Sequence, residues 1–261
     1  MANEDLVNEV LAKVLSKVDS APVASACEAG CIPACTEFVG VNPVGRTIGL
    51  VIANVDPQLL PTMRIGTQYK AIGILSSRTG AGPHIFAADE AVKATNTEIL
   101  TIELPRDTEG GAGHGSLIIF GADDVSDARR AVQVALEDVT RTFGDVYGNE
   151  AGHLEFQYTA RASYAVNKAF NAPLGKAFGI TVGAPAGIGV VLADTAVKAA
   201  SVDVIGYSSP AEGTSFSNEV ICSISGDSGA VRQAILAAID AGRPLLGAMG
   251  SYPESTTTPY I

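Results

Sequence analysis

The chain has 261 residues, of which 47% are hydrophobic and only 17% charged, so it has ample core material and a surface suited to meeting other protein. Its formal charge of -11, from 17 basic and 28 acidic residues, argues against nucleic acid as a partner and against a membrane surface, because phosphate groups need a positive footprint. The N-terminus lacks the pattern of a signal peptide and no apolar run approaches the ~20 residues needed to cross a bilayer, so the sequence predicts a cytoplasmic protein.

Residues 1–18 carry Leu6, Val7, Val10, Leu11, Val14, Leu15 and Val18 along one helical stripe, with Glu4, Asp5, Glu9, Lys13 and Lys17 elsewhere. Residues 19–35 are rich in Ala, Ser, Gly and Pro without periodicity, and read as a linker. Cys27, Cys31 and Cys35 fall at four-residue spacing, but Gly30 and Pro33 oppose a helix there, and the spacing matches no familiar metal or cluster motif. The expected organisation is a helix and linker over 1–35, a first domain over 36–147, a second over 148–250 and a tail over 251–261.

Two domains follow from an internal repeat. Ala88-Asp-Glu-Ala-Val-Lys-Ala94 matches Ala193-Asp-Thr-Ala-Val-Lys-Ala199 at six of seven positions, 105 residues apart. Ile72-Gly-Ile-Leu75 answers to Phe178-Gly-Ile-Thr181 with one residue of slippage, and Pro105 and Gly121 to Pro210 and Gly226. Each copy predicts an early strand and short helix (48–55 with 57–63; 154–161 with 164–170), then a glycine-centred strand and the helix with the matched lysine. Two more strands follow (98–104 and 117–120; 202–207 and 220–224). A longer helix closes each unit, burying Val125, Ala128, Val132, Ala135 and Val139 in the first copy and Val231, Ala234, Ile235 and Ala238 in the second. Asp123 or Asp124 and Asp227 or Ser228 are suitable N-caps. Mixed strands with helices grouped on one side make the fold α+β.

No catalytic motif emerges. The glycine-rich stretches at 80–82, 110–115 and 183–189 form neither a dinucleotide fingerprint nor a P-loop. Glu150-Ala-Gly-His153 has the spacing of a carboxylate-bridged metal half-site but lacks the helical partner motifs such a site needs, and no nucleophile elbow is present. No metal, cofactor or catalytic residue is assigned, and a repeat with a matched Lys93 and Lys198 reads as structural. A soluble small-molecule-binding trimer would share these features.

The two Ala-Asp-x-Ala-Val-Lys-Ala segments and Gly226-Asp-Ser-Gly-Ala-Val-Arg-Gln233 resemble the bacterial microcompartment shell domain. Thr36-Glu-Phe-Val-Gly40, Arg78-Thr-Gly-Ala-Gly-Pro-His84, Gly110-Gly-Ala-Gly-His-Gly-Ser116, Tyr207-Ser-Ser-Pro210 and Gly213-Thr-Ser-Phe-Ser-Asn218 are similar to the tandem-domain shell proteins of diol-utilising compartments. The resemblance, over residues 36–250, implies two circularly permuted shell domains related to the ferredoxin-like fold. It implies a homotrimer forming a pseudo-hexameric disc that tiles with other shell proteins around an enzyme core. An ethanol-type compartment is the alternative. The implied site residues fall in three sets. Arg106, Asp107, Glu109, His114, Ser208, Ser209, Thr214, Ser215 and Asn218 lie on loops facing the disc axis, the first loop being a glycine-rich gate and the second a hydroxyl-rich lining. Ser77, Arg78, Thr79, Gly80, Asn149, Glu150 and His153 surround a smaller pore for a diol or glycerol. Lys93 and Lys198 mark the disc edge, and the N-terminal helix engages the encapsulated enzymes.

Overall fold

A computed structural model describes residues 35–66, 68–106 and 113–261. The expected N-terminal helix, Cys27, Cys31, Asp107 and Glu109 lie outside the described residues. Residues 36–261 form one compact unit.

The first repeat runs β1 (Phe38–Asn42), β2 (Thr47–Ile52), α1 (Leu59–Met63), β3 (Ala71–Ser77), α2 (Ala81–Ala94), β4 (Glu98–Glu103), β5 (Ser116–Ala122) and α3 (Val125–Thr142). The second runs β6 (Val146–Asn149), β7 (Gly152–Thr159), α4 (Tyr164–Phe170), β8 (Ala177–Ala184), α5 (Ala186–Ala199), β9 (Asp203–Ser208), β10 (Val220–Gly226) and α6 (Ser228–Gly247), followed by β11 (Glu254–Ser255). The antiparallel sheets have the orders β1-β2-β3-β5-β4 and β11-β6-β7-β8-β10-β9. The short strands β1 and β6 escape the sequence pattern, and β6 straddles the expected 147/148 boundary. The segment expected as a tail is built in: β11 joins the sheet, and Asp145 accepts hydrogen bonds from the amides of Tyr260 and Ile261.

Glycine sits at the centre of β3 and β8 because helices press on them there. A Cβ on Gly73 would come within 2.7 Å of the Ala128 carbonyl oxygen, and one on Gly179 within 3.0 Å of Ile235. Alternation then sends Gly73 and Leu75 toward the long helices and Ile72 and Ile74 to the opposite face, where α1 packs through Leu60. The helices are therefore not all grouped on one side: α1 takes the opposite face because that face of β3 is apolar as well. Asp124 caps α3, accepting from the Ser126 amide at 2.8 Å. Val125, expected in the core, is exposed, because the first turn of α3 overhangs the sheet; Ala131 and Leu136 are buried instead.

One hydrophobic core spans both repeats. Ile85 and Phe86 of α2 reach across to Val166 of α4 and to Phe178 and Ile180 of β8, with Phe86 and Phe178 stacked at 5.9 Å. Asp89, in the repeated motif, is buried at this junction and accepts from the amides of Ser163 and Val166 at the start of α4. Burial pushes its carboxyl up, and Lys93 at 3.0 Å and those amides oppose the shift.

Candidate functional site at the junction of the repeats

The loops after β4 and β9 meet. Arg106 donates to the Ser215 carbonyl at 3.0 Å, and His114 Nδ1 lies 3.1 Å from Glu219 Oε1. His153, at the start of β7, brings its Nε2 to 3.5 Å from Glu219 Oε2, an ion-pair distance too long for a full hydrogen bond. Burial drives the Glu219 carboxyl up, but the approach of the two histidines outweighs it and holds the group at about 2. Glu155, on the same strand as His153, is buried, with Oε1 pointing at Gly82 and without a hydrogen-bond partner among the described residues. Burial, reinforced by the Glu219 charge, raises its carboxyl well above the usual range. His114, Glu155 and Glu219, with Ile85, Phe170, Ile180 and Val182, surround a cavity of about 40 Å³.

His153 also faces a larger cavity of about 610 Å³, lined by Gly45 and Thr79 from the first repeat and by Asn149, Glu150 and Gly152 from the second. Among the described residues the buried Thr79 hydroxyl has no hydrogen-bond partner. Asn149 braces the β6–β7 turn, donating to the Leu246 and Ser251 carbonyls and accepting from the Ala151 amide. Glu150 accepts from Ser251, and its own amide and Ser251 hold its carboxyl below the usual range. Of the smaller-pore residues expected from sequence, Thr79, Asn149, Glu150 and His153 line this cavity. Ser77 and Gly80 are buried behind it, with Ser77 bonded to Ser116, and Arg78 is exposed. His84, in the same layer, is fully buried, and burial lowers it to about 4. Its Nδ1 donates to the Gly80 carbonyl at 2.6 Å while Nε2 contacts the Thr47 hydroxyl, so the ring is a structural pin.

The loop after β9 uses its hydroxyls on itself. Thr214 is buried, Ser217 donates to the Thr214 carbonyl at 2.6 Å, and Asn218 accepts from the Ala186 amide at the start of α5. Ser208 and Ser209 are half-buried, Ser209 is bridged to Glu212, and Ser215 is exposed. At its tip stands Phe216, 80% exposed. The matched lysines differ: Lys93 is tied to the buried Asp89 and to Glu90, whereas Lys198 is exposed and paired only with Asp194 among the described contacts. Sequence reasoning missed Glu155, Glu219 and Phe216. Among the described residues no three His, Cys, Asp or Glu side chains are arranged to hold a metal ion, and no helix is long and apolar enough to cross a membrane.

Two copies of one α/β unit, joined head to tail through a shared core, are the architecture of a tandem shell domain. The BMC domain model matches residues 71–150 and 177–253, and the chain belongs to the BMC-domain family of bacterial microcompartment shell proteins. It is similar to bacterial microcompartment shell protein PduB of Salmonella typhimurium (strain LT2), 58% identical over all of both chains. The crystal structure of a trimeric bacterial microcompartment shell protein PduB superposes with a TM-score of 0.85 at 54% identity, covering 87% of this chain and all of that one. EtuB from Clostridium kluyveri gives 0.84 at 55% identity, covering 88% and 100%. The chain is a structural subunit of a microcompartment shell.

Proposed function

We propose that three copies of this chain close into a disc of six repeats that tiles the shell of a propanediol- or glycerol-utilising compartment, and that small diols cross it between the two repeats without being transformed. One comparison within the chain carries the assembly. Ile85, Phe86 and Ile99 of the first repeat are 0%, 2% and 3% exposed, covered by the second repeat. Their counterparts 105 residues on, Val190, Val191 and Val204, are 48%, 44% and 54% exposed. A face buried in one copy and open in the other fits the first repeat of another chain, whose β3 face (Ile74) and α1 (Met63) are only partly covered. Repeating this head-to-tail contact generates a ring, and the trimeric state of the PduB relative supports closure at three. Covering the three valines contributes about 1 kcal/mol each.

The cavity bounded by Thr79, Asn149, Glu150 and His153 supports the permeation route. Its hydroxyl, amide and imidazole groups exchange hydrogen bonds with a diol or glycerol at little net cost, whereas an aldehyde has no hydroxyl to donate. The exposed Lys198 suits the disc edge, where it would meet other shell proteins. The amphipathic stripe of residues 1–18 suits docking to the enclosed enzymes in the helix-in-groove manner. The likeness to EtuB favours a related, ethanol-type compartment as the second reading. Crystals soaked in glycerol test the route. It predicts glycerol between Thr79 and His153, chemically unchanged; glycerol on outer lattice contacts alone would refute it.

A further inference from the structure

Rotation moves points near its axis least, so an element that touches its own repeat counterpart lies beside the axis relating the repeats. The loops after β4 and β9 are counterparts, and they touch: His114 of the first lies 3.1 Å from Glu219 of the second. Arg106 of the first loop likewise holds Ser215 of the second. In contrast, α2 of the first repeat meets α4 and β8 of the second, unlike elements whose contact propagates around a ring. The loops after β4 and β9 are thus the axial elements of the chain.

The second loop is built to project an aromatic ring. Ser215 and Phe216 both have left-handed backbone, at φ 50° and 65°, which a side chain with a Cβ adopts only where its surroundings hold it there. Those surroundings are the Phe216 amide bonded to the Pro210 carbonyl, the paired Thr214 and Ser217, and the Arg106 guanidinium on Ser215. A turn needing only this backbone would be served by glycine or asparagine. Here it carries a phenyl ring 80% exposed to water while Thr214 and Ser217 on either side bond to each other.

We infer that Phe216 is a hydrophobic stopper on the axis of the ring, covered by Phe216 of two further copies and closing the central opening to water, ions and polar solutes. The inference rests on the ring proposed above. Each chain supplies one such ring, because the matching loop of the first repeat, residues 105–115, contains no Phe, Tyr or Trp. Three phenyl rings meeting on an axis form an apolar constriction of the kind that blocks permeation by losing its water. Polar traffic would then be confined to the cavity beside His153.

Replacing Phe216 with the photoreactive p-benzoylphenylalanine in the full chain tests this. Native mass is measured first, and the irradiated sample is then examined by denaturing electrophoresis and peptide mapping. The expected result is a three-chain native mass with covalent products joining position 216 of one chain to residues 213–218 of another. A three-chain mass with products only within one chain, on the outer helices or none at all would overturn the stopper and leave the ring standing. A single-chain mass would overturn both.

Discussion

His114 and Glu219 stand on the matching loops of the two repeats, one position apart in register, and they meet at 3.1 Å inside the chain. The repeats differ at this point, with Asn218 where the first has His114 and Gly115 where the second has Glu219, and the difference sets a carboxylate beside an imidazole. Glu219 is held at about 2, below its ordinary 4.5, so its contribution to stability is complete above about pH 4.5 and is lost as pH falls toward 2. Glu219→Gln should cost on the order of 3 kcal/mol at pH 7, and the gap to the parent should shrink below about pH 4.5 and close as pH falls to about 2. Denaturant unfolding at a series of pH values measures it, and a gap independent of pH would refute the ion-pair role.

Glu155 has the opposite sign. Its folded-state carboxyl is raised, so its cost is absent below about pH 4.5 and grows as pH rises above that. Glu155→Gln should therefore stabilise the protein at pH 8 by about 1–2 kcal/mol and give no gain at pH 4. Loss of stability at pH 8 would mean that Glu155 is ionised and paired.

The sequence conceals these groups for a physical reason. Leu154-Glu-Phe-Gln-Tyr158 alternates apolar and polar, the pattern of a strand with one wet face, but the face with Glu155 and Gln157 is covered by the first repeat. The repeat, the long helices and the span Tyr164–Phe170 are legible because the 105-residue offset and the helical period are local properties. The strands β1 and β6 are not, being short and interrupted by Gly40 and Gly148. Nor does Gly213-Thr-Ser-Phe-Ser-Asn218 disclose that Thr214 and Ser217 bond to each other, since that depends on backbone signs at Ser215 and Phe216.

Asp89 and Asp194 share a motif but not a task. Asp89→Ala removes a buried acceptor of two α4 amides and the partner of Lys93, and should cost about 2–3 kcal/mol. Asp194→Ala, at an exposed pair, should stay within about 0.5 kcal/mol for the single chain. Equal losses in denaturant unfolding would contradict the junction role of Asp89.

Lys198→Ala should leave folding unchanged and suppress sheet formation seen by electron microscopy, because its side chain is free to reach a neighbouring disc. Lys93→Ala should instead lower stability by about 1 kcal/mol by leaving Asp89 without its cation. Normal sheets from Lys198→Ala would remove Lys198 from the disc edge.

The central claim is that the open face of α5 repeats between chains the contact that α2 makes within one. Val191→Asp puts a charge into that face while disturbing nothing inside the chain, since Val191 is 44% exposed. Native mass measurement of the parent and of Val191→Asp tests the claim directly. The account predicts three chains for the parent and one folded chain for the variant; a variant that remains trimeric would contradict it.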